Sequence, residues 1–134
     1  SAVIPPLTHS AAANAFQVLA GLRAPGAVYE QCFAKTLPRG LSTFLGCFVL
    51  DACALAGRRA EALNHLRAYW GGMLELGATT FWEHFDVDWL ENAARIDEPV
   101  PAGKGTHTVI AAKDATGVSA TVFAMAGLHS LRNG

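Results

Sequence analysis

LSTFLGCFVLDACALAGRRAEALNHLRAYWGGMLELG, residues Leu41–Gly77, decides the fold. Within it Leu41, Leu45, Phe48, Ala52 and Leu55 recur at alternating spacings of four and three, the period of one face of an α-helix. Ser42 or Thr43 stands where an N-cap belongs, and Gly57 where a C′ glycine belongs. After the short link Gly57, Arg58, Arg59 a second helix follows, with Leu63, Leu66, Trp70 and Met73 as its stripe and Gly77 as its stop. So short a link predicts an antiparallel helical hairpin.

Outward from this pair the same reading continues in both directions. Upstream, Pro5 and Pro6 end an extended lead-in, and Thr8 or Ser10 caps a helix running to about Leu22. Its predicted apolar face is Ala12, Phe16, Leu19 and Ala20. Pro25 and Gly26 stop it, a further helix fits Ala27 to Thr36, and Pro38, Arg39 and Gly40 form the next break. Downstream, the chain is acidic between Asp86 and Glu98, irregular through Pro99, Pro101 and Gly103, and poorly periodic from Gly105 onward. Helical pairs with no credible strand before the tail predict an all-α architecture of stacked antiparallel hairpins. No internal repeat of solenoid length is present.

Length and composition bound the function. At 134 residues and 51% apolar composition, one core and one domain are expected. Ten basic against eleven acidic residues, net charge −1, give no footprint for nucleic acid or an anionic membrane, so small neutral ligands are the expected partners. Cys32, Cys47 and Cys53 are odd in number and lack C-x-x-C pairing, which points to three buried thiols and a reducing, cytoplasmic compartment. The five histidines show no metal-ligand spacing, so neither a metal nor a cofactor is expected. The start lacks the h-region of a signal peptide and no apolar run approaches the roughly 20 residues of a membrane span. The absent initiator Met points to a processed or internal fragment.

The chemistry-bearing segment is Gly77 to Phe85. Glu83 stands between Trp82 and His84, where an aromatic wall would desolvate a carboxylate and raise its pKa toward that of a general base. A surface glutamate in an aromatic turn is the competing reading. Phe81, Trp82, Phe85 and Trp89 could form a stacking platform for a sugar ring, or could simply be core. Asp86 and Asp88 could accept hydrogen bonds from sugar hydroxyls, and equally belong to a solvated acidic turn.

The run Tyr69, Trp70, Gly71, Gly72, Met73 through Gly77, Ala78, Thr79, Thr80, Phe81, Trp82, Glu83 closely resembles the YWGGM…GATTFWE signature of α-L-rhamnosidase-type glycoside hydrolases. Ala13, Asn14, Ala15 in the first helix, Phe48 to Ala52, and Asp86 to Lys104 extend the resemblance over about residues 8 to 104. It implies that residues 1–104 are part of an (α/α)6 six-hairpin barrel and that 105–134 are a divergent tail without a domain of their own. It implies hydrolysis of terminal α-L-rhamnosides with inversion, by an acid and a base about 6.5–9.5 Å apart. The base role falls on Glu83, while Trp82, Phe81 and His84 border the sugar. The family's general acid comes from an earlier hairpin whose acidic motif is absent, and twelve helices are needed where four are legible. The resemblance therefore implies a fragment inactive by itself, open to self-association or to a complementing chain. A free-standing, non-catalytic helical interaction module is the alternative. Because likeness stops after Lys104, the tail is expected to be read in a shifted frame. Gly117 to His129 can encode Gly-Phe-Arg-His-Ser-Leu-Cys-His-Gly-Trp-Ser-Ala one frame over, and coding DNA that cannot do so would end the idea.

Overall fold

A computed structural model describes residues 3–79, 81–82 and 85–92; the tail expectation lies outside them. The described residues are helical and contain no strand. In chain order the elements are α1 (Ala11–Leu19), α2 (Pro25–Val28), a π-helical segment (Tyr29–Phe33), α3 (Ala34–Thr36), α4 (Gly46–Leu55), α5 (Arg59–Glu75) and the short α6 (Trp89–Asn92). No helix among them is long and apolar enough to cross a membrane.

Helix ends follow local chemistry. Ser10 is the N-cap of α1, its hydroxyl oxygen accepting the Ala13 N–H at 3.2 Å and thereby satisfying one donor that the helix cannot. At the other end of α4, Gly57 takes φ +76, and the Gly57 and Arg58 N–H groups return to the carbonyls of Ala54 and Cys53. Gly77 repeats this pattern at the end of α5 with φ +95, closing onto Leu74 while Ala78 closes onto Met73. These are paired C-terminal closures that need a left-handed residue, which explains glycine at both positions.

Three boundaries differ from the sequence reading. The first helix, expected to run to about Leu22, ends at Leu19, where Ala20 is its C-cap and Gly21 follows at φ +74. The helix expected from Ala27 begins at Pro25, where a missing N–H costs nothing in the first turn. The helix expected from Leu41 begins at Gly46 with Leu45 as its N-cap and no side-chain cap bond; Ser42 accepts the Leu45 N–H at 3.2 Å in the turn before it and does not cap the helix. Thr43 does not face solvent as a cap would. It is buried, for a reason that belongs to the site below.

The core forms where α4 meets α1, the most extensive helix contact, and α4 also packs on α2, the π-helical segment and α5. Ala11, Ala15 and Val18 of α1 meet a centre built from Val49, Leu50, Ala52 and Cys53. Ala62, Tyr69, Trp70 and Met73 of α5 complete it, with Leu66 partly buried beside them. The buried face of α1 is not the predicted one, and the predicted face of α4 is buried only in part, at Ala52 and, ahead of the helix, at Leu41. Phe16 (44% exposed), Leu19 (38%), Leu45 (36%) and Leu55 (60%) point outward. Both helices are apolar on two sides, and the side offering smaller residues gives the closer helix approach.

Polar ties hold the periphery. Asn14 is 1% exposed; its amide nitrogen donates to the Thr8 carbonyl and its amide oxygen accepts the Thr8 N–H, both at 2.9 Å. Gln17 donates to the Pro6 carbonyl at 3.2 Å and accepts from Arg23 at 2.7 Å, so the extended lead-in is fastened to α1. Arg58 pairs with Glu30 at 2.6 Å and Glu61 at 3.3 Å while lying 5.1 Å above the Tyr29 ring. Burial at the centre raises the Cys53 thiol to about 12, which makes it an inert core group.

The adjacent glycines of α5 give a paired prediction. A Cβ on Gly71 meets nothing within 4 Å, whereas one on Gly72 falls 2.9 Å from Phe85 Cζ and 3.4 Å from Leu90 Cδ1. Gly71→Ala should gain up to about 1 kcal/mol from helix propensity. Gly72→Ala should lose a net 1–2 kcal/mol, roughly, because overpacking outweighs that gain. Thermal melts check both, and a Gly72→Ala protein as stable as Gly71→Ala would contradict the packing argument.

Candidate functional site

The segment after α5 is positioned by the helix it leaves. Once Gly77 has ended α5, the chain turns back on the helix, and the Trp82 N–H donates to the Met73 sulfur at 3.2 Å. Thr43, from the turn before α4, donates its hydroxyl to the Trp82 carbonyl at 2.6 Å. The Thr43 oxygen also lies 3.4 Å from the Tyr69 hydroxyl. Trp82 is thus held at both its backbone N–H and its carbonyl.

Around it is an aromatic cluster drawn from three parts of the chain. Ring centroids lie 4.9 Å apart for Tyr69 and Trp70, 5.3 Å for Tyr69 and Phe85, 6.2 Å for Trp82 and Phe85, and 5.7 Å for Phe85 and Trp89. Most are edge-on arrangements, in which a positive ring edge meets a negative face. Burial pushes the Tyr69 hydroxyl up to about 12, against the opposing effect of its hydrogen bond with Thr43. Tyr69 therefore stays protonated near neutrality and acts as a donor.

Beside the cluster opens a cleft of about 180 Å³, lined by Arg39, Gly40 and Leu41 on one side and Tyr69, Phe85 and Asp86 on another. Its rim carries an ion pair between Arg39 and Asp88 at 2.6 Å, and Asp86 accepts the Asp88 N–H at 2.8 Å. A guanidinium, carboxylates and an aromatic wall supply the donors, acceptors and apolar face that a small polyhydroxylated molecule needs. The volume falls below the roughly 300 Å³ at which drug-sized ligand pockets begin.

The sequence-predicted residues fall as follows. Trp82 is 2% exposed and Phe81 half-buried against the core. Glu83 and His84, the expected base and its neighbour, lie outside the described residues. Phe85 is buried and Trp89 partly buried, which agrees with the core reading of both. Thr43, Arg39 and Tyr69 were not singled out for the site. Thr43 carried only a capping signal, and nothing in its spacing marks a hydroxyl that reaches 39 residues ahead. Among the described residues no cluster of three His, Cys, Asp or Glu side chains could hold a metal ion.

No family model, no curated protein and no solved structure matches the chain.

Proposed function

We propose that the chain is the C-terminal part of an inverting α-L-rhamnosidase-type glycoside hydrolase domain, with Glu83 as its general base. The observation that carries this reading is the signature from Tyr69 to Glu83. Its spatial support is that the two ends of the signature converge, Met73 of the first half holding the Trp82 backbone of the second. In this reading α4 and α5 are one antiparallel hairpin of an incomplete (α/α)6 barrel. Phe81 and His84 border the subsite for a rhamnose-containing carbohydrate, and the buried Trp82 ring supports it from behind. Trp82, fixed between Thr43 and Met73, serves as a positioning residue for the carboxylate that follows it.

Inversion needs an acid on the opposite side of the sugar. The isolated chain is therefore expected to release no aryl aglycone from an α-L-rhamnoside above background. Adding a polypeptide that supplies the acid-bearing hairpins should restore turnover, and Glu83→Gln should reduce the restored rate by about 10²–10⁴-fold. Turnover by the isolated chain that Glu83→Gln abolishes would overturn the incomplete-site reading. A restored rate indifferent to Glu83→Gln would overturn the assignment of the base.

A second reading, a non-catalytic helical interaction module, is favoured by one specific observation. The outward faces of α1 and α4 meet through Phe16 and Phe48, centroids 5.0 Å apart.

A further inference from the structure

Another cleft, of about 170 Å³, opens between the lead-in and the helical run formed by α2, the π-helical segment and α3. His9 lines it from the lead-in, Asn14 from α1, and Gln31, Cys32, Lys35 and Thr36 from the helical run. It shares no lining residue with the cleft beside Tyr69. Gln31 and Lys35 stand four apart, as do Cys32 and Thr36, so both pairs lie on one face of the run. The Thr36 hydroxyl donates to the Cys32 carbonyl at 3.1 Å and is fixed by that bond. Gln31 and Cys32 belong to the π-helical segment, whose i→i+5 turns occur frequently at functional sites.

The chemistry of the lining is one-sided. It contains the Lys35 ammonium and no carboxylate. Glu30, the acid next to Gln31 in sequence, is instead paired with Arg58 at 2.6 Å. Both ends of the Asn14 amide are already bonded to Thr8. Among the described residues, by contrast, no hydrogen bond or ion pair engages the side chain of His9, Gln31 or Lys35. An ammonium, a carboxamide and an imidazole therefore stand around one small space with N–H donors unused. That space holds about six waters at roughly 30 Å³ each, well short of the roughly 300 Å³ at which pockets for drug-sized ligands begin.

We propose that this cleft binds a single phosphate group, free or at the end of a small molecule, with Lys35 as its counter-charge and His9 and Gln31 as further donors. A phosphate group presents three strong acceptor oxygens, and three separate donor groups face the cleft. A carboxylate presents two oxygens in a plane and leaves one donor group unmatched. Lysine suits the role as a point charge, because a tetrahedral oxyanion needs no planar fork to meet it. Lys35 is exposed, so salt screens the attraction and binding is weak, in the millimolar range. The net charge of −1 belongs to the whole chain and does not oppose a local cationic cleft. Phosphate binding here does not require the glycosidase reading to hold.

Cys32 is a reporter built into the cleft. It is half-buried in the lining, whereas Cys47 and Cys53 are buried, and burial raises both of their thiols. The full chain is alkylated with iodoacetamide at low, constant ionic strength in the presence of inorganic phosphate, methyl phosphate or acetate, and the modified cysteine is followed by peptide mass spectrometry. The expected result is a saturable slowing at Cys32 by phosphate or its methyl ester, the tighter of the two naming the source, with acetate about tenfold weaker. Lys35→Met should weaken the protection by about tenfold or more. Arg59→Gln, which removes an exposed cation outside the lining, should leave it unchanged. No protection by either phosphate, equal protection by acetate, or equal losses in Lys35→Met and Arg59→Gln would each overturn the proposal. Should Lys35→Met alter the reactivity of Cys32 without added anion, a phosphate titration of the wild type followed by nuclear magnetic resonance decides instead. Saturable shifts of the Gln31 amide and the His9 ring support the site, and shifts confined to other residues overturn it.

Discussion

Trp82→Ala is expected to cost about 3–5 kcal/mol of stability, enough to unfold much of a marginally stable domain. The ring is 2% exposed and packs edge to tilted against Phe85, which in turn contacts Tyr69 and Trp89. Removing it leaves a cavity in the aromatic cluster that neighbouring side chains fill only in part. Thr43→Val is the complementary test. It keeps the volume but strips the buried Trp82 carbonyl of its 2.6 Å donor, which should cost about 1–3 kcal/mol. Urea denaturation of both proteins checks the pair. If Trp82→Ala unfolds at the wild-type midpoint, the ring is not part of the core, and a purely sugar-facing role would be the better account.

How much of this was legible in the sequence depends on how local each signal is. Caps and stops need only neighbouring residues, so Ser10, Gly57 and Gly77 were readable as helix boundaries and the structure places them there. Burial faces are not local. In α1 the set Ala11, Ala15, Val18 and the set Ala12, Phe16, Leu19 are both apolar at helical spacing, and periodicity cannot choose between them. The larger side chains suggested the core, whereas close packing of α1 on α4 selected the smaller ones. In α5 the predicted Trp70 and Met73 are buried, whereas Leu63 of the same predicted stripe is 37% exposed and the smaller Ala62 beside it is buried. At the candidate site the aromatic density from Phe81 to Phe85 was visible. The clamp by Thr43 and Met73 was not, since Thr43 reaches 39 residues ahead from a position that reads as a cap, and the Met73 sulfur reads as core.

Asn14→Asp is expected to convert a neutral tie into a pH-dependent one. The wild-type amide both donates to and accepts from the Thr8 backbone, in a position 1% exposed. An aspartate of the same shape can still accept the Thr8 N–H, but its ionised second oxygen faces the Thr8 carbonyl, acceptor against acceptor. Only the protonated acid restores both bonds. Burial and this repulsion therefore raise the folded-state pKa of the new carboxyl above its unfolded value of about 3.9. Below pH 4 the group is protonated in both states and the variant should approach wild-type stability. As pH rises through the interval between the two pKa values the unfolded state releases the proton first, so stability falls with increasing pH. A shift of two to three units, usual for a buried carboxyl, amounts to a loss of about 3–4 kcal/mol at pH 7. Asn14→Ala lacks the titrating group and should lose about 2 kcal/mol at every pH, roughly one for each hydrogen bond. Denaturation at pH 4 and pH 7 separates the two variants. If Asn14→Asp is equally stable at both, the Thr8 tie is not closed in solution and the lead-in segment is not fastened to α1 by Asn14.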